Sequence, residues 1–290
     1  MEKYATSTGG SVCVADKAGF CFGVERAVNT AYKTAERGGT LYTYGPIIHN
    51  EEVTRDLSGR GISITEDIDS LKDEDAVIIL RSHGVKRSII EKIRARGYEI
   101  VDTTCPFVKK IHRIVDEESA KGCRIVIVGN KNHPEVQGIE GWCNNEPFII
   151  EKPEDAEKIC FGENEKVCVV VQTTFNHEKL KDLVDILKKN CYHVNVVNTI
   201  CNATEERQTE ARNLAGKMDA MIVVGGARSS NTQKLYEICR EECEDSFLIR
   251  TFADLEIIKI KAGSDICITA GASTPNNIIE EVLNYVRINF

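Results

Sequence analysis

Three cysteines occupy equivalent places in three segments of similar length, and this repeat constrains the fold more than any other feature of the sequence. Each precedes a helix-like segment that ends near a glycine 17, 17 or 15 residues further on, and the three are Cys21, Cys105 and Cys201. A glycine just past the last residue of an apolar period is a common stop signal of a helix. Segments with a shared start and stop indicate an internal repeat.

Two further polar positions recur in each segment. His49, His133 and Ser229 each lie 28 residues after the cysteine of their segment, in loops that follow strand-like runs. The other position lies at the end of the next apolar strand, 62, 68 and 72 residues after the cysteine of each segment. It is occupied by His83, Thr173 and Ser273. The order is the same in all three segments, so the repeat extends well beyond the cysteines.

The alternation of helices and strands predicts the fold class. Continuous apolar runs such as VIILRS and VCVVVQ are typical of strands buried on both faces, so we expect an α/β fold with mostly parallel sheets. Polar residues then gather at the carboxyl ends of the strands. If the three units are related by a pseudo-threefold axis, the three thiols meet on that axis. We expect a flexible N-terminal extension over residues 1–10 and α/β repeats over residues 11–104, 105–200 and 201–290.

Charge and hydropathy exclude several classes of partner. The chain has a net charge of −8 and no cluster of Lys and Arg in a stripe, which disfavours a nucleic-acid partner. The first residues lack the apolar core of a signal peptide, and no apolar run approaches the roughly 18 residues of a membrane span. We therefore expect a cytoplasmic monomer without a membrane partner.

Twelve cysteines in a chain without an export signal argue against a disulfide framework. Four lie in apolar strand-like runs and are expected to be small buried hydrophobic residues, namely Cys13, Cys123, Cys168 and Cys267. Core or partly exposed thiols are also expected at Cys143, Cys160, Cys191, Cys239 and Cys243.

The three repeat cysteines fit a metal centre, because the positive end of a helix dipole favours the thiolate. A zinc ion with one open position is one candidate. A cubane iron–sulfur cluster with three protein ligands fits three-fold geometry better, since its fourth iron remains free to bind substrate. Burial of the three as core side chains is the remaining alternative. The spacing alone does not choose, since the cysteines lie 84 and 96 residues apart.

The loops around this predicted centre are suited to bind an anion. Glycines at strand ends expose backbone N–H groups, and the same loops supply His49, Asn50, His133, Ser229, Ser230 and Asn231. Neutral donors combined with helix amino termini predict a phosphate or diphosphate ligand. Glu135 follows His133 by two positions, and it is either a proton donor with a raised pKa or an ordinary first-turn glutamate after Pro134.

The sequence resembles the 4-hydroxy-3-methylbut-2-enyl diphosphate reductase family, which carries out the last step of the methylerythritol phosphate route to isoprenoids. The resemblance rests on AGFCFGVERA, HNEEV, RSHGV, DTTCPFV, HPEVQG, QTTF, ICNATEERQ, RSSNT and TAGASTP, in this order between Cys21 and Pro275. It covers essentially the whole chain after the short N-terminal extension. It implies a trefoil of three α/β units around a central [4Fe–4S] cluster.

The resemblance also implies a role for each matching residue. Cys21, Cys105 and Cys201 are then the cluster ligands. Glu135 is the proton donor and Thr173 is a partner of the substrate hydroxyl. The diphosphate and substrate contacts are His49, His83, His133, Ser229, Ser230, Asn231 and Ser273.

The implied reaction is a reductive dehydroxylation at the open iron of the cluster, which gives isopentenyl diphosphate or dimethylallyl diphosphate. The electrons come one at a time from reduced ferredoxin or flavodoxin, and the sequence does not identify which. Two alternatives remain: an enzyme like quinolinate synthase, which also has a three-cysteine cluster, and a non-catalytic iron–sulfur sensor. One position departs from the family pattern, because Arg228 precedes the SSN motif where Asn is frequent. Arg228 either adds a charge near the diphosphate or faces solvent.

Overall fold

The computed structural model of the chain describes residues 2–190 and 193–290. Its strands are β1 Lys3–Ala5, β2 Ser11–Val14, β3 Leu41–Tyr44, β4 Ile62–Thr65, β5 Val77–Leu80, β6 Glu99–Asp102, β7 Arg124–Val128, β8 Phe148–Ile150, β9 Lys166–Val171, β10 His193–Val196, β11 Ala220–Val224, β12 Ser246–Ile249 and β13 Asp265–Ala270. The inner strands are the β-branched runs, and β9 buries every residue after Lys166. A strand buried on both faces is typical of a parallel sheet.

Helices alternate with these strands. They are α1 Phe22–Glu36, α2 Glu51–Gly59, α3 Arg87–Ala95, α4 Pro106–Ala120, α5 Pro134–Glu140, α6 Pro153–Glu157, α7 His177–Asn190, α8 Asn202–Ala215, α9 Ser230–Glu242 and α10 Asn276–Asn289, with a 3-10 helix at Phe252–Ile257. Among the described residues, no helix combines the length and the apolar character that crossing a bilayer would require.

The three sheets share one strand order. Along the chain the first sheet is β4-β3-β5-β6, the second is β8-β7-β9-β10, and the third is β12-β11-β13-β2 with β1 at its edge. Every described strand pair is parallel except β1 with β2. The predicted α/β class with mostly parallel sheets is therefore confirmed.

The last strand of each sheet leads to a repeat cysteine, and in the third sheet this strand comes from the beginning of the chain. The strand β2 pairs in parallel with β13, from Ser11 opposite Asp265 to Val14 opposite Ile268. Residues 11–14 are predicted to belong to the first repeat, but they lie in the third sheet. The strand Lys3–Ala5 pairs antiparallel with β2, so this part of the predicted flexible extension forms a strand. The other repeat boundaries and the pseudo-threefold relation stay predictions.

The described chain divides into two compact units. Unit 1 comprises Met1–Val24, His49–Val53 and Asn202–Phe290, and unit 2 comprises Glu25–Ile48 and Thr54–Cys201. Unit 1 contains the third sheet, with apolar clusters around Ile222 and Met221. Unit 2 contains the first and second sheets, with clusters around Ile78, Val169 and Ile127.

Most of the remaining cysteines contribute to these cores. The four predicted as small buried hydrophobic residues are confirmed, with exposures of 1, 8, 1 and 0% at Cys13, Cys123, Cys168 and Cys267. Cys239 and Cys243 are buried as well, Cys143 is half-buried and Cys160 is exposed. Cys191 lies outside the described residues.

Candidate active site

Each repeat cysteine directly precedes a helix, as predicted. The helices that follow are α1, α4 and α8. At Cys105 the backbone is non-helical, with φ −56° and ψ 135°, and Pro106 takes the first helical position, where its missing N–H leaves no bond unmade. All three thiols are partly exposed, whereas six of the other described cysteines are buried. A partly exposed thiol at the amino terminus of a helix is accessible to a metal ion and can serve as its ligand.

A backbone hydrogen bond ties each of these cysteines to a loop that carries a predicted site residue. The bonds run from the N–H of Cys105 to the carbonyl of Ser82 at 2.9 Å, from Cys201 to Thr173 at 3.2 Å, and from Cys21 to Ala272 at 3.4 Å. Thr173 is itself a predicted site residue. Ser82 and Ala272 immediately precede two others, His83 and Ser273. The cysteine position and the third polar position of the repeat are thus coupled through the backbone in all three cases.

In unit 1, the loops after β11 and β13 bring two hydroxyl groups together. The Oγ atoms of Ser229 and Ser273 are 3.3 Å apart, and Ser273 Oγ also lies 3.3 Å from the carbonyl oxygen of His49. Ser229 is the N-cap of α9, where its Oγ accepts a hydrogen bond from the N–H of Thr232 at 3.4 Å. Ser230 is the first residue of that helix. Two hydroxyls at a helix amino terminus suit an anionic ligand.

Asn231 presents an unsatisfied donor in the same unit. Its side chain is 4% exposed, and its Oδ1 accepts a hydrogen bond from the N–H of Ala272 at 2.9 Å. Its Nδ2 is buried and has no hydrogen-bond partner in residues 2–190 and 193–290. A buried donor left without a partner costs about 1–3 kcal/mol. An acceptor from a ligand, placed at the start of α9, would satisfy it.

In unit 2, two histidines lie edge to face. His133 is the N-cap of α5, and its Nδ1 accepts a hydrogen bond from the N–H of Glu135 at 3.1 Å. A neutral imidazole that accepts at Nδ1 carries its proton on Nε2, so this bond sets the tautomer of His133. The rings of His83 and His133 have centroids 5.4 Å apart and planes at 76°.

The turn that carries His83 is held by residues outside the predicted set. Gly84 has φ +74°, in the left-handed region that favours glycine, and a Cβ there would lie 2.6 Å from Cε1 of His112. His112 is 5% exposed and stacks on Trp142, with ring centroids 5.0 Å apart. Burial lowers the pKa of His112 to about 4, so this ring is neutral near pH 7. It packs against the turn and does not titrate with the site.

Glu135 and Thr173 form a buried pair. Oε1 of Glu135 accepts a hydrogen bond from the N–H of Thr173 at 2.6 Å, and Oε2 accepts one from its hydroxyl at 2.7 Å. Glu135 is 2% exposed. Burial raises the pKa of its carboxyl group to about 7, although the two bonds from Thr173 lower it. The carboxyl group therefore exchanges a proton near neutral pH, as a general acid must.

Arg228, the departure from the family pattern, faces solvent. Its guanidinium lies 3.4 Å from a carboxylate oxygen of Glu51, and the two side chains are 79% and 59% exposed. An ion pair at this exposure contributes little to stability.

Thr232 is a structural residue of the site that the sequence analysis missed. It is fully buried, and a Cβ added to Gly225 or Gly271 would lie 2.6 or 2.0 Å from its Oγ1. The signal was present in the glycines that end the strands MIVVGG and CITAG, since glycine at a strand end often marks a close approach.

The predicted site residues are distributed over the two units. Unit 1 contains Cys21, His49, Ser229, Ser230, Asn231 and Ser273, and unit 2 contains Cys105, Cys201, His83, His133, Glu135 and Thr173. The contacts described above join residues within one unit, and the roles of these residues stay predictions.

Comparison with known proteins identifies close relatives. A family model described as LytB protein matches residues 12–287. The 4-hydroxy-3-methylbut-2-enyl diphosphate reductase of Alkaliphilus oremlandii is 45% identical over 281 residues, which cover 96% of this chain and 99% of the relative. The protein of the same name from Clostridioides difficile is 42% identical over 278 residues, with 96% and 99% covered.

Solved structures similar to this chain are also reductases of this name. The E-1-hydroxy-2-methyl-but-2-enyl-4-diphosphate reductase from Plasmodium falciparum superposes with a TM-score of 0.88 at 30% identity, over 94% of this chain and 86% of that one. A structure of (E)-4-hydroxy-3-methyl-but-2-enyl diphosphate reductase, described as the terminal enzyme of the non-mevalonate pathway, gives a TM-score of 0.70 at 38% identity, over 95% and 98%.

Proposed function

Because this chain belongs to the LytB protein family, we propose that it reduces 4-hydroxy-3-methylbut-2-enyl diphosphate to isopentenyl diphosphate and dimethylallyl diphosphate. One structural observation supports this proposal in addition to the names of the relatives. Each repeat cysteine donates its N–H to the loop that carries His83, Thr173 or Ser273. This arrangement supports a site in which redox centre and substrate contacts are built from the same loops.

The reaction consumes two electrons and two protons. The allylic C–O bond breaks, the hydroxyl leaves as water after taking one proton, and the two electrons reduce the allylic fragment. The second proton adds at either end of that fragment, which accounts for two products. The chain must therefore provide a redox group, a binding site for the diphosphate and a proton donor.

We assign the redox group to a [4Fe–4S] cluster held by Cys21, Cys105 and Cys201. The donor set fits this group, because all three thiols are partly exposed and each directly precedes a helix. When bound, the cluster would supply the electrons one at a time and an iron without a protein ligand. The same three residues are the ones that the repeat singles out.

We assign the diphosphate to the hydroxyls and the amide at the start of α9, together with the histidines. Ser229, Ser273 and Asn231 provide neutral donors there, and the buried Nδ2 of Asn231 is in need of an acceptor. His49 and Ser230 belong to the same unit as these donors, and we also assign imidazole contacts with the substrate to His83 and His133. Neutral donors at a helix amino terminus bind a diphosphate without placing a cation next to the cluster.

Glu135 would hold the proton that the leaving hydroxyl takes. Its carboxyl group has a pKa of about 7 because it is buried, so a substantial fraction is protonated near neutral pH. Thr173 donates to both of its oxygens and so holds it in one orientation. We also assign to the hydroxyl of Thr173 a hydrogen bond with the substrate hydroxyl.

We also propose an electron donor, an oligomeric state and a cellular location for this enzyme. Reduced ferredoxin or flavodoxin would deliver the electrons, and the enzyme would act as a monomer in the cytoplasm, where reducing conditions preserve its twelve cysteines. A quinolinate synthase-like activity and a non-catalytic sensor are disfavoured, because the family match covers residues 12–287.

An anaerobic assay tests the proposal. Reduced methyl viologen is mixed with the cluster-reconstituted protein, and oxidation of the dye is followed after 4-hydroxy-3-methylbut-2-enyl diphosphate is added. We expect rapid oxidation and both five-carbon diphosphates as products. Protein that contains four irons per chain but does not oxidise the dye would refute the proposed substrate.

A further inference from the structure

Exposed aromatic side chains lie beside two of the proposed cluster ligands. Among the described residues, six large hydrophobic side chains are exposed, and Phe22 and Phe107 are two of them, at 66% and 42%. Phe22 directly follows Cys21, and Phe107 follows Cys105 by two positions. Neither phenyl ring is used by the mechanism above. An exposed aromatic residue is a common anchor of a protein–protein interface.

The helix that carries Phe107 presents a basic face although the chain as a whole is acidic. Lys109, Lys110 and Arg113 are exposed on the first two turns of α4, in a protein of net charge −8. The Nζ atom of Lys109 forms an ion pair with a carboxylate oxygen of Asp102 at 2.7 Å. The Nε atom of Arg113 lies 3.8 Å from a carboxylate oxygen of Glu117, and 71% of the Arg113 side chain is exposed. Lys110 makes no ion pair within residues 2–190 and 193–290.

A groove beside α4 extends this face. It encloses about 470 Å³, and its lining includes Arg94, Lys109, Arg113 and Trp142. Two acidic residues in its wall, Asp102 and Asp116, are paired with Lys109 and Arg87 at 2.7 and 2.5 Å. Glu91 also lines the groove and offsets one further charge. An exposed aromatic ring and exposed cationic side chains thus lie on the same helix, α4, which begins directly after Cys105.

We propose that Phe107, Lys110 and Arg113 on α4 form the docking surface for a small acidic one-electron carrier protein, with the groove between α3 and α4 receiving acidic side chains of that partner. Charge complementarity selects an acidic partner, and the position beside Cys105 selects an electron carrier. This inference rests on the proposed function, because the reaction needs two electrons that this chain does not itself supply. A carrier seated here would bring its redox group close to a cluster ligand without occupying the substrate loops.

The test compares a protein electron donor with a small dye. Product formation by the holoenzyme is measured with a purified reduced bacterial ferredoxin and, separately, with reduced methyl viologen, which needs no docking surface. The charge-reversal variant is Lys110→Glu with Arg113→Glu. The matched control is Lys158→Glu with Lys181→Glu, which makes the same change in net charge at two exposed positions, the C-cap of α6 and the first turns of α7.

We expect the reversal on α4 to lower kcat/KM for ferredoxin by about ten-fold or more, because electrostatic steering accelerates association by 10 to 1,000 times. The viologen-driven rate should stay within about two-fold of the wild type, and the control variant should behave as the wild type with both donors. The ferredoxin-driven rate of the wild type should fall as NaCl is raised, and that of the reversal variant should depend less on salt. Phe107→Ala should weaken ferredoxin-driven turnover without removing the salt dependence.

Binding of oxidised ferredoxin to the immobilised holoenzyme gives a readout that does not depend on turnover. We expect weaker binding for the α4 reversal and unchanged binding for the control. Equal ferredoxin affinity and kcat/KM in the wild type and the α4 reversal would overturn the docking surface. If the reversal also lost viologen-driven activity, Lys110→Ala, which removes one exposed charge, would decide by the same binding measurement. A wild-type enzyme inactive with viologen but binding ferredoxin through α4 would refute the proposed function alone.

Discussion

Both carboxyl oxygens of Glu135 accept hydrogen bonds from Thr173, one from the backbone N–H at 2.6 Å and one from the hydroxyl at 2.7 Å. Burial raises the pKa of this carboxyl group to about 7, and the two bonds act in the opposite direction because they favour the carboxylate. This one pair therefore sets how much protonated acid exists at neutral pH. The balance is open to test by pH and by small changes at either residue.

Activity should fall as the pH rises through about 7, because Glu135, the proposed proton donor, is then deprotonated. Glu135→Gln keeps the shape of the side chain but cannot give up a proton, so we expect it to bind the diphosphate and to turn over at least about 100 times more slowly. The rate is measured between pH 6 and 9 with reduced methyl viologen. Wild-type turnover in Glu135→Gln would remove the proton-donor role.

Stability of the apoprotein should also decrease with pH across this range. The pKa of Glu135 is raised in the folded protein above its value near 4.5 in the unfolded chain. The contribution of this group to the free energy of unfolding is therefore complete below pH 4.5 and is lost as the pH rises through about 7. Between pH 6 and pH 8 the free energy of unfolding should decrease by about 1 kcal/mol because of this group. Urea unfolding of the wild type and of Glu135→Gln at both values isolates this group, since other titrations are common to both. An identical pH effect in the two proteins would contradict the raised pKa.

Thr173→Val should move the alkaline limb of the rate profile to higher pH. The change removes the hydroxyl that donates to Oε2 of Glu135, and a hydrogen bond to a charged group is worth about 1.5–3 kcal/mol. The pKa of Glu135 should therefore rise by about one to two units. Thr173→Ser retains the hydroxyl and serves as the control. A limb at the wild-type position in the valine variant would show that the hydroxyl does not tune this acid.

Asn231→Asp should weaken substrate binding strongly. The substitution preserves the acceptor for the N–H of Ala272 but replaces the buried Nδ2 donor with an oxygen, which repels a diphosphate. We expect the Kd of the substrate to rise by about 100-fold, since a charged hydrogen bond of roughly 1.5–3 kcal/mol is replaced by repulsion. Calorimetric titration measures it, and Asn29→Asp adds the same charge at an exposed position of α1 as the control. Equal affinities in the two variants would place the diphosphate elsewhere.

Cys105→Ser should lower the iron bound per chain after anaerobic reconstitution, because one of the three proposed ligands is lost. Cys160→Ser changes an exposed cysteine that is not one of the three repeat cysteines, and it should leave the iron content unchanged. Iron is determined colorimetrically on protein freed of unbound metal. Four irons and normal turnover in Cys105→Ser would refute the ligand assignment.

Placement in a loop before a helix could be predicted from the sequence where the signature is local. His133 and Ser229 were predicted from a constant offset of 28 residues, and both are helix N-caps, a position whose side-chain chemistry shows in a few neighbouring residues. The polar character of Glu135 and Thr173 was equally visible. Their direct contact was not, because it joins residues 38 positions apart.

Contacts between distant segments could not be predicted from the sequence at β2 and at His112 either. Whether β2 belongs to the first or the third repeat depends on which edge strand it meets, and its own sequence, SVCV, fits either. The packing of His112 against Gly84 and Trp142 was hidden as well, since a histidine in a helix pattern carries no sign of what its ring contacts. Tertiary pairing between distant segments is decided by complementary surfaces, which a local pattern does not contain.

The closure of the third sheet by β2 also affects the order in which the parts of the protein can fold during synthesis. The β2–β13 ladder joins residues 254 positions apart, as between Ser11 and Asp265, so β2 leaves the ribosome long before its partner exists. At about 5–20 residues per second the strand waits for roughly ten seconds or more, while both sheets of unit 2 can already form. Cys21 is therefore the last of the three repeat cysteines to reach its native setting. The proposed cluster would therefore be completed only after β13 has been made, with Cys21 as its last ligand to be positioned.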